Sequence, residues 1–397
     1  MDDVLITGLG TVSCLGSGID AYWRGLNAAR SAPGPIPVPD ANMPYPSMYL
    51  VPEADLPDGP PEQDGLPIGR GSRLALEAAR QAVADAGADS LAALDPRRIA
   101  VSISTGMGDA DLHEGWRPGG PPDTDRWAPA FPVAAVVGGR LGAEGGNTSI
   151  SNACSASGYA LTVAADQIRA GEADVVVVGG AEACSRVALA CFNRLGAMDP
   201  ERCRPFAADR RGTHFGEGAA VLVLESAAHA RRRGAGTVYA ALAGSGWSCD
   251  AYHATAPEPT GAEIEHGMRQ ALAEAGAGPE EVAFVVPHGT GTELNDVVES
   301  EVLGTVLGDR AAGTPVYNLK ALIGHTGSAA GAFGALTSAL LLHHGRVPGN
   351  VDIGERDPRC AVSLPTAGAP TRGRFGLVNA YAFGGNNISL VLQEARL

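Results

Sequence analysis

The chain has 397 residues, 45% of them hydrophobic, and a formal net charge of −15. That apolar content can bury the core of two or three average domains or of one large duplicated one. No apolar run approaches the roughly 18 to 20 residues that span a bilayer, and the acidic balance excludes nucleic acid, whose phosphates require a dense basic face.

The opening MDDVLITGLG has neither the basic region nor the cleavage site of a secretory signal, and it enters directly into a strand at 3–8. Seven cysteines, an odd number with no C-x-x-C pair, indicate a reducing cytoplasm. The run GLGTVS at 8–13 imitates a dinucleotide-binding loop but lacks its third glycine and the later acidic residue. Residues 20–30 have helical spacing, and residues 31–68, rich in Pro, Asp and Gly, read as an irregular surface excursion. The amphipathic stretch 70–87 predicts a helix ending at Gly87, followed by a strand at 98–104 and a second Pro/Gly loop at 116–132. The segment from Asn147 reads as strand TSIS, sharp turn, helix 154–170, loop and strand, and AAVLVLE at 219–225 closes the first half. The second half predicts a strand at 237–248, a helix at 261–276, a strand at 281–287 and a helix at 296–307. Next come PVYNLK (315–320) as a strand, a small-residue helix after His325, and a terminal hairpin over 374–383 and 388–394. Strands alternating with helices indicate an α/β protein with buried strands, and the twin endings AAVLVLE and NISLVLQE hint at duplication.

Three positions carry candidate chemistry. Cys154, between the strand TSIS and the following helix, would face unpaired N–H groups and the positive end of the helix dipole, which favour the nucleophilic thiolate. Small flanking residues leave room for a substrate. His288 ends an apolar strand beside Gly and Thr, and His325 precedes a small-residue helix whose N-terminus disfavours imidazolium. One thiolate to attack a thioester and two N–H donors to polarise a carbonyl as it becomes an enolate form a coherent set. Lys320 is the sole lysine among 29 basic residues, and only an ammonium is compact and tunable. Cysteines 184, 191 and 203 lack metal-ligand spacing, so neither metal nor organic cofactor is expected.

The motifs ACSASG around Cys154, HGTGT at 288–292, KALIGH at 320–325 and NAYAFGGNN at 379–387 resemble those of the elongating β-ketoacyl synthases of fatty-acid and polyketide pathways. The resemblance runs from residue 3 to the C-terminus and takes in GGAEA (179–183), RPFAADRRGTHFGEGAAVLVLE (204–225) and SCDAYHATAPEP (248–259). It implies the thiolase fold, a duplicated α/β/α/β/α layered core. Residues 1–235 would carry the nucleophile and residues 236–397 both histidines, within one compact unit. The resemblance also implies decarboxylative Claisen condensation. Cys154 would be the acyl-accepting nucleophile, and His288 and His325 would stabilise the enolate from malonyl decarboxylation. Lys320 would pair with Glu299. Phe383 would act as gate and, through its N–H and that of Cys154, complete an oxyanion hole. Thr290 and Thr292 would hold the pantetheine arm of an acyl carrier protein, and Arg194 would help dock that carrier. A dimer is implied, either of identical chains or with a chain-length-factor-like subunit.

Residues 31–68 contain no basic residue before Arg70, so a docking patch usual in housekeeping fatty-acid synthases is partly missing, which favours a specialised pathway. Initiating synthases have Asn where His325 stands, and a chain-length factor lacks the cysteine. An acyltransferase that moves finished chains could keep Cys154 but would not need His288, His325 and Lys320.

Overall fold

A computed structural model describes residues 3–37, 42–57, 62–87, 93–114 and 128–395. The valine-rich and alternating segments form the strands of one ten-stranded sheet. In chain order the principal elements of the first half are β1 (Val4–Ser13), α1 (Ile19–Ala28), α2 (Arg70–Ala86), β2 (Ile99–Ser104), α3 (Val133–Leu141) and β3 (Asn147–Thr148). They continue with α4 (Ala156–Arg169), β4 (Val175–Glu182), α5 (Arg186–Arg194) and β5 (Gly218–Ser226). The second half supplies β6 (Ala240–Cys249), α6 (Ala262–Ala275), β7 (Val282–Val286), α7 (Glu293–Leu307), α8 (Ala330–His343), β8 (Phe375–Ala382) and β9 (Asn386–Gln393). The sheet order is β7-β8-β9-β6-β1-β5-β4-β2-β3, and the tenth strand, the two residues Gly16–Ser17, pairs with the end of β1.

The pairings repeat. β5 runs antiparallel to β4, and β4 parallel to β2. In the same way β9 runs antiparallel to β8, and β8 parallel to β7. The two sets join where β1 meets β6, at Leu5 opposite Ala241 and Ile6 opposite Ala240.

Period-2 alternation sends the side chains of each strand to two layers. Val176 and Val178 of β4, Leu222 and Leu224 of β5, and Leu390 and Leu392 of β9 join the core around α4 and α8. Val175, Val177, Val221 and Val223 face α2 and α3 instead, while Leu377 and Val391 face α6 and α7. The sheet thus folds around a central helix pair and carries further helices outside, giving five layers of the thiolase fold.

Glycines set how closely these layers approach. Gly8 and Gly10 are no nucleotide loop: a Cβ at either would lie 2.2 and 2.0 Å from the Ala82 and Ala78 carbonyl oxygens of α2. In the central layer, a Cβ on Gly331 of α8 would stand 2.6 Å from the backbone nitrogen of Gly158 in α4, and Ala332 N–H donates to Ser157 Oγ at 2.8 Å.

Helix 70–86 ends at Gly87 with φ 95, as its sequence indicates, and the terminal hairpin forms at β8 and β9. Several expectations are corrected. TSIS is not a strand: only Asn147–Thr148 pairs, parallel to Val101–Ser102. PVYNLK makes only bridges, Val316 to Val285 and Pro315 to Ser363, because the chain turns into a short helix at Lys320. The 31–68 segment is irregular yet not purely superficial, since Met48, Tyr49 and Val51 are buried. The loop at 116–132 lies largely outside the described residues.

Gly331→Ala should push α8 off α4 and cost about 1–3 kcal/mol of stability, read as a lowered urea midpoint. An unchanged midpoint would show that the helices do not depend on this contact.

Candidate active site

The starts of the two central helices, brought together by the Gly158–Gly331 contact, put Cys154 and His325 beside one another's loops. Cys154 lies in the tight turn Ala153–Ser155, and Ala153 ahead of it takes φ 54, a left-handed conformation costly for a residue with a Cβ. Cys154 is 9% exposed. Burial pushes its thiol up to about 12, while the Lys320 charge pulls the other way. The expected resting thiolate is therefore corrected. The α-helix proper starts only at Ala156, and loss of water costs the thiolate more than the helix start and a cation return.

β7 delivers His288. Its backbone N–H donates to Glu299 Oε1 at 2.7 Å, and Gly289 N–H donates to Oε2 at 2.7 Å. Asn379 of β8 adds a third hydrogen bond to Oε1 at 3.1 Å. Burial still holds the Glu299 carboxyl up at about 7. Lys320 Nζ donates to the His288 carbonyl oxygen and lies 3.5 Å from His288 Nδ1. Lys320 and Glu299 form no direct ion pair among the described residues, since the carboxylate accepts from the 288–289 backbone and the ammonium donates to the His288 carbonyl. The Glu299 charge still acts on Lys320 and opposes the lowering by burial. An ammonium has only protons to give, so Nδ1 facing it accepts and the His288 proton is placed on Nε2.

His325 is anchored by its backbone, donating to the His214 carbonyl at 2.7 Å and accepting from Gly216 at 3.0 Å. Its ring stacks on Phe215 at 6.0 Å between centroids and stands at 86° to the His288 ring, 5.4 Å away. Both imidazoles are pushed well below 6.5, first by burial and then by the Lys320 charge. Both are therefore neutral, as the sequence suggests, through desolvation more than through a helix end. Among the described residues, the buried Nδ1 of His325 has no hydrogen-bond partner.

Two cavities meet at Cys154. One, of about 410 Å³, reaches the surface and is lined by His288, His325, Thr290, Thr292 and Phe383. The two threonine hydroxyls are 2.9 Å apart. The other, of about 250 Å³, runs from Cys154 past Phe215 and Leu189. Phe383 lines both, stacked on Phe192 with centroids 5.2 Å apart. It sits ahead of Gly384 and Gly385, which have φ 83 and 76.

Arg194, the last residue of α5, is exposed, next to Leu195, which lines the outer cavity. Arg70 forks onto buried Glu217 and takes no part in the site. Sequence reasoning missed Asp296, whose carboxylate accepts from the N–H groups of Phe206, Thr290 and Gly291 and so shapes the threonine loop. It also missed Asn379, which donates to Glu299, and Phe192 and the exposed Arg211, which line the outer cavity. Asp296 and Asn379 lie within or beside the singled-out motifs, whereas nothing local marks Phe192.

A buried thiol and two neutral imidazoles on one cavity, with an ammonium seated against one of those imidazoles, within the layered core, define a condensing enzyme of the thiolase fold. Residues 1–230 match the β-ketoacyl synthase N-terminal domain and residues 239–353 the C-terminal domain. The chain belongs to the β-ketoacyl synthase family and is an acyltransferase.

It is 34% identical over 404 residues to Nodulation protein E of Rhizobium meliloti, covering 98% of this chain and 99% of the relative. It is equally identical, over 418 residues and 99% and 97% of the two chains, to the tetracenomycin polyketide synthase ketoacyl synthase alpha subunit of Streptomyces glaucescens. Among solved structures it resembles the ishigamide ketosynthase/chain length factor, with 35% identity, TM-score 0.89 and full coverage of both chains. It also resembles the type II polyketide assembly AntDE:AntF, an acyl-carrier protein in complex with its ketosynthase, with 27% identity, TM-score 0.88 and coverage of 99% and 100%.

Lys320→Arg keeps the charge, but a planar fork cannot occupy the space of an ammonium seated on the His288 carbonyl. Malonyl decarboxylation should fall by about 100-fold or more while the folded fraction stays unchanged. Wild-type turnover would show that any cation suffices there.

Proposed function

We propose that this chain elongates a Cys154-bound acyl group by decarboxylative condensation with malonyl-acyl carrier protein, in a type II polyketide or specialised fatty-acyl pathway. The observation that carries this reading is the convergence of Cys154, His288 and His325 on a single surface-connected cavity.

The first half-reaction is thioester exchange. The Cys154 sulfur takes the acyl group from a phosphopantetheine arm held along Thr290 and Thr292, and the thiol proton ends on the departing pantetheine sulfur. Because the proton travels with the exchange, a thiol pushed up to about 12 need not exist as a resting thiolate. The oxyanion is met by the backbone N–H groups of Cys154 and Phe383, with Phe383 as the gate between the two cavities.

In the second half-reaction malonyl thioester loses carbon dioxide. N–H groups of the neutral His288 and His325 meet the enolate oxygen, the enolate carbon attacks the acyl carbonyl, and the Cys154 sulfur leaves and takes up one proton. Glu299 and Lys320 act by fixing His288 between them. No organic cofactor is required, since the reacting groups arrive on the carrier. Carrier docking falls to the exposed Arg194 and its surroundings. We place the enzyme in the cytoplasm, where its seven free cysteines stay reduced, and divide it near residue 235 into a nucleophile half and a histidine half.

The functional unit is a dimer. Among the described residues β3 is the outermost strand of the sheet, a few positions before the Cys154 turn and with one edge unpaired, and open edges pair readily. Exposed Leu112, Phe131 and Val187 stand nearby on segments tied by Asp109 N–H to the Ala130 carbonyl and Val187 N–H to Glu114. The ishigamide relative, a ketosynthase/chain length factor, fits a partner of the same fold.

His288→Ala and His325→Ala should each still acylate Cys154 but slow malonyl decarboxylation by about 100- to 1000-fold, while Cys154→Ala should accept no acyl group in peptide mapping. Equal loss of both half-reactions in either histidine variant would overturn the assignment. Light scattering of the purified chain should give a dimer at micromolar concentration, and a monomer would refute it. Elongation that appears only after co-expression of a cysteine-less homologue would identify the partner as a chain-length-factor-like subunit.

A further inference from the structure

The inner cavity differs in chemistry from the outer one. Its walls are Met48, Met107, Ala188, Leu189 and three aromatic rings, Phe192, Phe215 and Phe383. Four oxygen-bearing side chains also line it, and three of these are committed elsewhere. Ser185 Oγ donates to Glu114 at 2.7 Å. Ser328 Oγ donates to Glu182 at 2.7 Å. Glu182 accepts from Gly106 N–H, Met107 N–H and both the N–H and the hydroxyl of Ser328. The fourth, Ser151, is solvent-exposed. Among the described residues, the one side-chain hydroxyl of the lining left free is that of Ser151 at the exposed rim, and beyond it the cavity offers a guest no free side-chain hydroxyl, amide or ammonium donor.

A buried carbonyl without a donor loses its hydrogen bonds to water and gains nothing in return, whereas a hydrocarbon chain loses none. We infer that the acyl chain this enzyme extends is a hydrocarbon, saturated or conjugated, without keto groups along the buried length, and not a poly-β-ketone. This rests on the elongation reading and narrows its substrate class.

The volume of about 250 Å³ accommodates about eight carbon-sized groups at the ~30 Å³ that a water-sized group occupies in a liquid. Each condensation leaves a 3-keto group, so a reductive step must intervene before the product returns to Cys154. A separate enzyme must add a hydride, from a nicotinamide-class donor, and a proton to that carbonyl, and a second must remove the resulting hydroxyl as water to leave a double bond. For a saturated chain a third must add a further hydride, from the same class of donor, and a proton to that bond.

The test uses the purified full chain with N-acetylcysteamine thioesters of equal length: octanoyl, octa-2,4-dienoyl, 3-oxooctanoyl and 5-oxooctanoyl. Acylation of Cys154 is followed by intact-protein mass spectrometry, and condensation with malonyl-acyl carrier protein is followed separately. Octanoyl and octadienoyl groups should load at similar rates, and both oxo chains about 10-fold or more slowly. Ala188→Phe, which fills the cavity, should lower the ratio of octanoyl to acetyl loading by about 10-fold or more.

Equal loading of oxo and hydrocarbon chains, or an Ala188→Phe variant that loads octanoyl and acetyl as the wild type does, would overturn the inference and leave elongation standing. Selective loading without condensation would support the inference and sink elongation instead. Failure of every thioester to load would overturn both.

Discussion

The site depends first on how closely two helices can lie. Where α8 crosses α4, Gly331 meets the backbone of Gly158 at a distance no Cβ would permit. That contact is sandwiched between the two arms of one sheet, whose inward residues are almost all Val, Leu, Ile or Ala. With the helices fixed there, the loops at their starts cannot be far apart. One loop carries Cys154 and the other His325. A helix-length element has little freedom once its buried side is packed on both faces, so the catalytic geometry follows from a packing decision made about one helical turn away.

A second constraint is desolvation. Lys320, Glu299, His288 and His325 are all buried, and burial moves each towards its neutral form: the lysine and histidines downwards, the glutamate up to about 7. Lys320 keeps company with a carbonyl oxygen and an imidazole nitrogen instead of a carboxylate. It thereby orients His288 without being neutralised by a tight ion pair, and its positive field remains available to an anionic guest. A malonyl carboxylate entering this pocket gives up its water, and on losing carbon dioxide its negative charge passes to the enolate oxygen, so a dry cavity with preorganised N–H donors suits that change. The Cys154 thiol obeys the same rule, and for it the proton must travel with the acyl exchange.

The division between the two cavities is aromatic. Phe192 and Phe383 stack at the junction, and Phe215 continues the wall to the face of His325. One side is the more polar, with two threonine hydroxyls on its wall; the other is more strongly apolar, and three of its four side-chain oxygen groups are held in hydrogen bonds. The reacting sulfur therefore sits at a boundary between two media, suited to a carrier arm on one side and a hydrocarbon on the other.

Much of this was legible in the sequence, because the signals are local. The period of the 70–86 helix, the Gly87 stop, the buried runs of β4 and β5 and the small residues around Cys154 each act within a few positions along the chain. The motifs around Cys154, His288 and His325 marked positions that the fold does bring to one cavity. What the sequence could not decide depends on atoms distant along the chain and on exclusion of water. The protonation of Cys154 was misjudged because the helix start is visible locally while burial is not. The Lys320–Glu299 attraction is present without direct contact, because residue identity predicts attraction, whereas packing selects which oxygen lies in reach, and here it is the carbonyl of His288. TSIS and PVYNLK are apolar enough for strands, but pairing needs a neighbour in register, and only two residues of the first and two bridges of the second find one. Composition and periodicity determined the layers and the reactive groups; tertiary structure alone decided their distances, protonation and surroundings, since these arise from contacts between residues far apart in the chain.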